Sequence, residues 1–335
     1  MNGIRSPFEK SYRNGWVITF MRTSKWARIL QVIKQKKYSF MIRVALYIFL
    51  SVVAFVFVYP FLYMLFTSVK SLKDLNDISV DWIPREFYFY NYVRAFDLLN
   101  YFQHFGISTF LTVVSIGIKS ICCSFIAYGL SRYNFPGKNF WFGIVILSII
   151  VPTQTIILPQ YLEFAAIKWT GSYLPILIPQ LFGFGLKGGL FIFIYRQFFM
   201  NLPKTLEEAA RLDGCGAVST YWKIALPATG TSTLVTAVLA MVWHWNDYYE
   251  PAIYLQSEKL WPLPAMLPKI YAMYQTYFSG NFNLGSIQPS LLEKQIVTEG
   301  TVMAATVLVI LPIIIAYAFL QKRFIQGIER SGLVE

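Results

Sequence analysis

Six long apolar segments restrict the fold of this chain more than any other feature. They cover about residues 44–67, 106–130, 140–158, 173–199, 228–249 and 301–320. A run of roughly 20 apolar residues can cross a hydrocarbon core about 30 Å thick. Inside lipid, all backbone polar groups must be paired within the protein, and helices achieve this within one segment. The sequence therefore predicts an all-α polytopic membrane protein with six transmembrane helices.

Basic residues are distributed unequally between the two sides of this arrangement. Six spans put both termini on one side, and that side carries nineteen Lys and Arg against eight on the other. Ten of the nineteen lie in residues 1–43, which contain one acid. Because cytoplasmic segments are enriched in Lys and Arg, we expect both termini in the cytoplasm. We divide the chain into a basic extension (1–43), a transmembrane domain (44–323) and a tail (324–335).

Composition also excludes some classes of protein. The net charge of +12 comes from basic residues that flank the spans, which predicts contact with a lipid bilayer and no nucleic-acid partner. The three cysteines and two histidines have no metal-ligand spacing, and no G-x-x-x-x-G-K-[ST] phosphate loop occurs. We therefore expect a non-catalytic chain that binds neither a metal nor a cofactor.

A polar loop at residues 201–227 interrupts the apolar pattern. The spacing of Thr205 and Glu208 predicts a capping box at the start of a short helix. Gly214 and Gly216 predict its end, since glycine tolerates the left-handed conformation that closes helices. We therefore expect two short helices joined at a glycine, on the side of the termini.

The loop also carries a spaced motif. Glu208-Ala209-Ala210 is followed after three residues by Gly214, and after nine more by Ile224-Ala225-Leu226-Pro227. This pattern resembles the "EAA" loop in membrane subunits of ATP-binding-cassette (ABC) importers. The rest of the chain is similar to the carbohydrate-uptake branch, including the smaller membrane subunit of maltodextrin importers. The matching segments are WIPREFYFYNYVRAF, RYNFPG, YRQFF, WNDY and QKRFIQG.

The resemblance implies a type I importer permease in a bacterial inner membrane, with a cytoplasmic coupling helix. It implies a heterodimer with a second permease, two cytoplasmic ATPase subunits that use ATP and Mg, and an extracytoplasmic solute-binding protein. The substrate it implies is a sugar or oligosaccharide. It also assigns a set of residues to ATPase coupling: Glu207, Glu208, Ala209, Ala210, Asp213, Gly214, Ile224, Leu226 and Pro227.

A second group of residues is a candidate for the substrate path. Lys187 lies within the fourth span, where a lysine costs about 2.5–3.5 kcal/mol on insertion scales. It either faces the path and attracts an acidic sugar, or makes a helix contact. Trp245, Asn246, Asp247 and Tyr248 end the fifth span, where they either hold a sugar or form an interfacial aromatic belt.

Three other interpretations are open at this point. The solute could be another polar molecule, such as a glycerol phosphodiester. A secondary transporter would need internal repeats and buried acids, and a membrane-embedded glycosyltransferase would need paired carboxylates or a metal cluster. Neither pattern is visible in the spans.

Overall fold

The computed structural model describes residues 25–278 and 296–330. Residues 1–24 of the basic extension, residues 279–295 of the loop before the last span, and residues 331–335 of the tail lie outside the described residues. The chain divides into two units, residues 1–63 and residues 64–335. The first unit contains most of the helix Lys25–Ser68. The polar loop and the candidate substrate-path residues belong to the second unit.

The part of the chain that the structure describes is helical, with no strand. The α-helices and two π-helical segments follow one another in this order: α1 (Lys25–Ser68), α2 (Leu72–Asn76), α3 (Tyr90–Leu98), α4 (Tyr101–Ile118), π1 (Lys119–Cys123), α5 (Ser124–Arg132), α6 (Lys138–Ile150), α7 (Thr153–Ala166), α8 (Leu174–Leu181), α9 (Gly188–Asn201), α10 (Lys204–Leu212), α11 (Ala217–Thr220), π2 (Tyr221–Ala225), α12 (Leu226–Ala228), α13 (Gly230–Trp245), α14 (Tyr249–Tyr254), α15 (Leu267–Phe278) and α16 (Glu299–Arg330). Short 3-10 turns lie between α14 and α15.

The predicted spans differ in how continuous they are. Within the described residues, three helical runs are unbroken and apolar enough to cross a membrane: Phe40–Ser68, Tyr101–Arg132 and Glu299–Lys322. The predicted third span is instead bent by 105° between α6 and α7. The predicted fourth span is two helices, α8 and α9, and the fifth begins after a 76° bend at Thr229. The all-helical fold is confirmed, whereas six uninterrupted spans are not what the structure contains.

The breaks occur where the backbone cannot continue a helix. Pro152 has no N–H and forces Val151 into an extended conformation, so α6 ends at Ile150. Between α8 and α9, three residues adopt positive φ angles: Gly183 (77°), Gly185 (74°) and Lys187 (57°). Gly189, just after this break, makes a close contact, because an added Cβ would lie 2.8 Å from the Val145 carbonyl oxygen.

Of the three apolar clusters among the described residues of the second unit, two position the polar loop and the last span. One joins α13 to α16, and its members include Trp245, Val309 and Ile313. The other lies where α5, α9 and the polar loop meet, and it contains Tyr195, Phe199 and Tyr221. The second cluster packs the loop against the membrane helices and so fixes how the loop is attached.

The segment between α1 and α3 is held by polar contacts. The ammonium of Lys70 is buried and donates to the carbonyls of Val80 and Asp81 at 3.0 and 2.9 Å. At the loop surface, hydrogen bonds from Ser79, followed by the charge of Arg85, hold the pKa of Asp77 below its usual value. These contacts give the segment between α1 and α3 a defined shape.

Candidate coupling loop and transport cavity

The polar loop forms two short helical limbs joined at Gly214. The first limb is α10, and Gly214 follows it with a φ of 82°. The Cys215 N–H donates to the Ala210 carbonyl at 2.9 Å, and the Gly214 N–H to Arg211 at 3.0 Å. These two bonds form a Schellman motif, which satisfies the last carbonyls of a helix. The prediction of two helices joined at a glycine is confirmed.

The start of the first limb differs from the prediction. The helix begins at Lys204, one residue before Thr205, and no side chain caps it. Pro203 occupies the N-cap position, and the helix starts directly after it. The capping box of Thr205 and Glu208 is therefore wrong, because Thr205 lies inside the helix. Gly216 is also not left-handed, since its φ is −72°, and it precedes α11 in an extended conformation.

One face of α10 is attached to the membrane helices. Glu207 and Ala210, three residues apart, are both buried. The Glu207 carboxylate lies 2.8 Å from Nε of Arg132 at the end of α5, and the two side chains are only 10% and 5% exposed. That N–H does not point at the oxygen, so the contact is an ion pair rather than a hydrogen bond. Nη2 of Arg132 donates to the Leu202 carbonyl at 2.6 Å.

The other face of the loop is exposed. Of the residues predicted for coupling, Glu208, Ala209, Asp213, Gly214 and Pro227 are exposed, and Ile224 and Leu226 are partly buried at the base. Several apolar side chains that the motif did not include are also exposed: Leu206, Leu212, Val218 and Trp222. Leu212 is 90% exposed. An exposed apolar group on an otherwise polar loop is typical of a protein interaction surface.

A cavity of about 240 Å³, with polar and charged side chains set among apolar ones, lies between two of the helix breaks. Its walls come from residues 148–160 around the break between α6 and α7, and from residues 183–190 around the break between α8 and α9. Glu250, at the start of α14, completes it. Charged and amide groups are costly at membrane depth unless they serve a site or pair with one another, so this cavity is the candidate transport site.

The cavity contains one of the predicted substrate-path residues. Lys187 lines it, with its backbone left-handed and its side chain exposed. Nζ of Lys187 lies 5.9 Å from the ring centroid of Trp243, a distance at which a cation is attracted to the ring. Among the described residues, no carboxylate forms an ion pair with Lys187. Its charge is therefore available to a solute.

Trp245 and Asp247 are occupied by contacts within the protein. The Trp245 indole is buried and donates to the Val309 carbonyl at 3.0 Å. The Asp247 carboxylate accepts from the N–H groups of Tyr249 and Glu250, at 3.1 and 3.2 Å, at the start of α14. In this structure both residues hold the end of the fifth span in place, and a contact with a sugar stays a prediction for them.

Asn246 and Tyr248 are exposed. The Asn246 side chain donates to the Val242 carbonyl at 2.8 Å from an exposed position. Tyr248 packs edge-on against Tyr249, with ring centroids 6.5 Å apart. These two side chains are accessible, as a substrate-path role requires, and that role stays a prediction.

Comparison with known families decides what class of protein this is. Residues 120–330 match the family model described as the binding-protein-dependent transport system inner membrane component. The chain belongs to this family. The matched region includes the polar loop at residues 201–227, which we call the coupling loop, and every wall of the cavity.

Relatives of this permease are similar along most of their length. The chain is 27% identical over 284 residues to the arabinooligosaccharides transport system permease protein AraQ of Halalkalibacterium halodurans, covering 84% of this chain and 92% of that protein. It is 28% identical over 281 residues to protein LplC of Bacillus subtilis, covering 84% and 90%. It is 26% identical to the polygalacturonan/rhamnogalacturonan transport system permease protein YtcP of Bacillus subtilis, covering 84% and 94%.

A solved structure shares the fold of this permease. A chain from a bacterial ABC transporter involved in the import of the acidic polysaccharide alginate aligns with a TM-score of 0.69 and 24% identity. The alignment covers 85% of this chain and 96% of that one. The interrupted helices are therefore arranged as in a known ABC transporter.

Sequence reasoning missed two residues that build the permease sites. Glu250 lies beyond the predicted end of the fifth span, yet it lines the cavity beside Lys187. Arg132 counts toward topology and begins the matching segment RYNFPG, but the sequence does not predict its pairing with Glu207. A charged residue next to a predicted span end is the signal in both cases. The sequence does not show which distant residues each of them meets.

Replacing Gly214 of the permease with valine is expected to uncouple ATP hydrolysis from uptake while leaving the protein in the membrane. A left-handed backbone costs an L-residue about 1–2 kcal/mol, and a β-branched side chain is among the least suited to it. No atom lies within 4 Å of an added Cβ, so the effect is on the turn itself rather than on packing. Uptake and ATP hydrolysis in reconstituted vesicles measure it.

Gly216→Val is the matched control for this change. Gly216 is also free of atoms within 4 Å of an added Cβ, but its extended backbone accepts valine. We expect it to retain most of the uptake. Wild-type uptake per ATP in Gly214→Val would contradict a role for the rigid turn in coupling.

Proposed function

We propose that this chain is one of two permease subunits of an ABC importer that takes up an oligosaccharide. It forms half of the translocation path, receives the solute from an extracytoplasmic binding protein, and is driven by two cytoplasmic ATPase subunits that use ATP and Mg. Both termini lie in the cytoplasm. The chain itself catalyses no reaction and binds no cofactor.

The observation that carries this proposal is the polar cavity among broken helices. Transporters bind polar solutes where membrane helices are interrupted, because the interruption exposes backbone groups in the path. Here two spans are interrupted around one space, and Lys187, Gln160 and Glu250 supply cationic, amide and acidic groups to it. Such a set can hydrogen-bond sugar hydroxyls and pair with a carboxylate. The names of AraQ and YtcP favour oligosaccharides as the solute class.

The coupling loop supports the link to an ATPase. Its first limb is held rigidly on one face by Glu207 and Arg132, and it presents the exposed side chains of Glu208 and Leu212 on the other. A short helix ended by a fixed turn moves as one body when its partner moves. In the proposed mechanism, closure of the ATPase dimer displaces this limb, and the packed spans change the access to the cavity.

Co-purification and vesicle uptake together test this function. The tagged chain should purify with a second permease and two copies of an ATPase, identified by mass spectrometry. Vesicles containing that complex should accumulate oligosaccharide only when ATP and the binding protein are both supplied. Uptake driven by an ion gradient without ATP would show a secondary transporter instead.

Lys187→Met is expected to reduce uptake of a carboxylate-bearing oligosaccharide about tenfold and uptake of a neutral one much less, since a hydrogen bond to a charged group contributes about 1.5–3 kcal/mol. Its side chain lines the cavity without an acidic partner, so the change removes a charge that the solute uses. Competition between acidic and neutral oligosaccharides of equal length measures the difference.

Lys168→Met is the control variant. Lys168 shares the left-handed backbone and the exposed side chain of Lys187, with a φ of 59°, but it does not line the cavity. We expect it to leave uptake of both sugars unchanged. Equal losses for acidic and neutral sugars in Lys187→Met would leave Lys187 with a structural role only.

A glycerol phosphodiester is the second candidate for the solute. The unpaired charge of Lys187 favours it, because an ammonium binds a phosphodiester as well as a carboxylate. A 26% identical relative is the sn-glycerol-3-phosphate transport system permease protein UgpE of Yersinia pestis. Adding glycerophosphodiesters to the same competition assay separates the two candidates.

A further inference from the structure

Tyr221, in the second limb of the coupling loop, reaches into the second span. Its side chain is fully buried, and its hydroxyl oxygen lies 2.7 Å from Oγ of Ser124 and 3.2 Å from the carbonyl oxygen of Ile121. The ring also packs edge-on against Phe125, with centroids 5.1 Å apart. This hydroxyl is therefore a specific polar link between the loop and the membrane helices, separate from the ion pair of Arg132.

The link joins two unusual stretches of backbone. Tyr221 begins π2, and Ile121 lies in π1, so the hydroxyl connects the two π-helical segments in the described chain. A π-helical turn is wider than an α-helical turn and is found mostly as a single turn at functional sites. The Ile121 carbonyl also accepts from Oγ of Ser124 at 3.0 Å. Side chains from both elements thus satisfy the backbone of the wide turn.

The same wide turn carries Lys119 to the wall of the cavity. Lys119 begins π1 and is fully buried, and its ammonium donates to the Phe184 carbonyl at 2.8 Å. That carbonyl belongs to the break between α8 and α9, whose residues line the cavity. A displacement of π1 would therefore move the ammonium that holds the Phe184 carbonyl in this break.

We propose that Tyr221 is a positioning residue that transmits movement of the coupling loop, through π1 and Lys119, to the broken helices around the cavity. The proposal rests on the proposed function and adds the residue and the route by which the loop acts. Energetic coupling between distant sites travels through packed side chains and hydrogen bonds that change together. The contacts from Tyr221 to Ser124 and Ile121, along π1, and from Lys119 to Phe184 form a continuous route of this kind.

Tyr221→Phe tests the route because it removes the hydroxyl and keeps the ring. In vesicles containing the complete importer, we expect the amount of sugar transported per ATP hydrolysed to fall about fivefold, which is the size of effect that loss of one buried hydrogen bond produces. Assembly with the partner subunits and binding of the solute-binding protein should stay at wild-type levels. A role limited to packing would not change the ratio of transport to hydrolysis.

Two further variants make the result decisive. Tyr92→Phe removes a hydroxyl that lies 2.8 Å from Oγ of Ser68, the same kind of contact away from the loop, and should leave the ratio unchanged. Ser124→Ala removes one of the two partners of the Tyr221 hydroxyl and leaves the Ile121 carbonyl, so it should lower the ratio less than Tyr221→Phe does. Combining the two changes should lower the ratio no further than Tyr221→Phe alone. If Tyr221→Phe does not assemble, Ser124→Ala alone decides.

A wild-type ratio in Tyr221→Phe, a wild-type ratio in Ser124→Ala, or additive losses in the double variant would overturn the route. These outcomes differ from failure of the proposed function, in which the wild-type complex itself shows no ATP-dependent uptake. The measurement on the wild-type importer is therefore made first.

Discussion

Replacing Arg132 with methionine is expected to lower the free energy of unfolding by about 3–5 kcal/mol, the cost of leaving a buried charge without its partner. Glu207 is buried beside Arg132, and no other cation in the described chain lies within ion-pair distance of it. The change also removes the donor to the Leu202 carbonyl, so the connection between α9 and α10 loses a second contact. Thermal unfolding of the purified protein in detergent measures the loss of stability. The amount of ATPase that stays bound during purification measures the effect on the coupling loop.

The double variant Arg132→Met, Glu207→Met should recover much of that stability. Buried ion pairs replaced on both sides by apolar groups of similar size are often neutral, because neither charge is then left desolvated. If Arg132→Met and the double variant are equally unstable, the ion pair is not the cause. Arg85→Met is the matched control, since Arg85 pairs with Asp77 at 2.5 Å but is 63% exposed, and exposed pairs contribute about 0–1 kcal/mol.

The sequence predicts the helical class and the coupling loop because their signals are local. A run of apolar residues must form a helix in lipid, and Gly214 fits a left-handed turn wherever the loop lies. Both signals act over a few residues, and the structure confirms both. The capping box was also predicted from a local signal. The helix instead begins at Lys204, directly after Pro203, so Thr205 is not at the N-cap position.

The cavity could be predicted less well, because it depends on where distant segments meet. Pro152 and the glycines near residue 185 mark positions where a helix can break, but they do not show that the breaks face one another. Glu250 and Lys187 are 63 positions apart, and only the fold brings both to one space. The sequence also could not show that the Trp245 indole donates to the Val309 carbonyl, because α16, which carries Val309, is distant in the chain.

Gly188→Ala is expected to abolish stable folding or to lower the free energy of unfolding by about 3 kcal/mol or more, above the usual cost of overpacking. A Cβ at this position would lie 2.0 Å from the carbonyl oxygen of Gly183 and 2.8 Å from its carbonyl carbon. Both are backbone atoms, so no side-chain rotation relieves the contact. The break between α8 and α9 would have to open, which displaces Lys119, whose ammonium lies 3.4 Å from the same Cβ.

Thermal unfolding of Gly188→Ala and Gly117→Ala, compared with uptake by each variant, tests this reasoning. Gly117 lies within α4 and has no atom within 4 Å of an added Cβ, so alanine there should be neutral or slightly stabilising through its higher helix propensity. The two variants make the same chemical change in the same protein and differ only in what the methyl group meets. If Gly188→Ala unfolds at the wild-type temperature, the close approach of Gly183 and Gly188 does not shape the cavity, and the route from Lys119 to the break loses its structural basis.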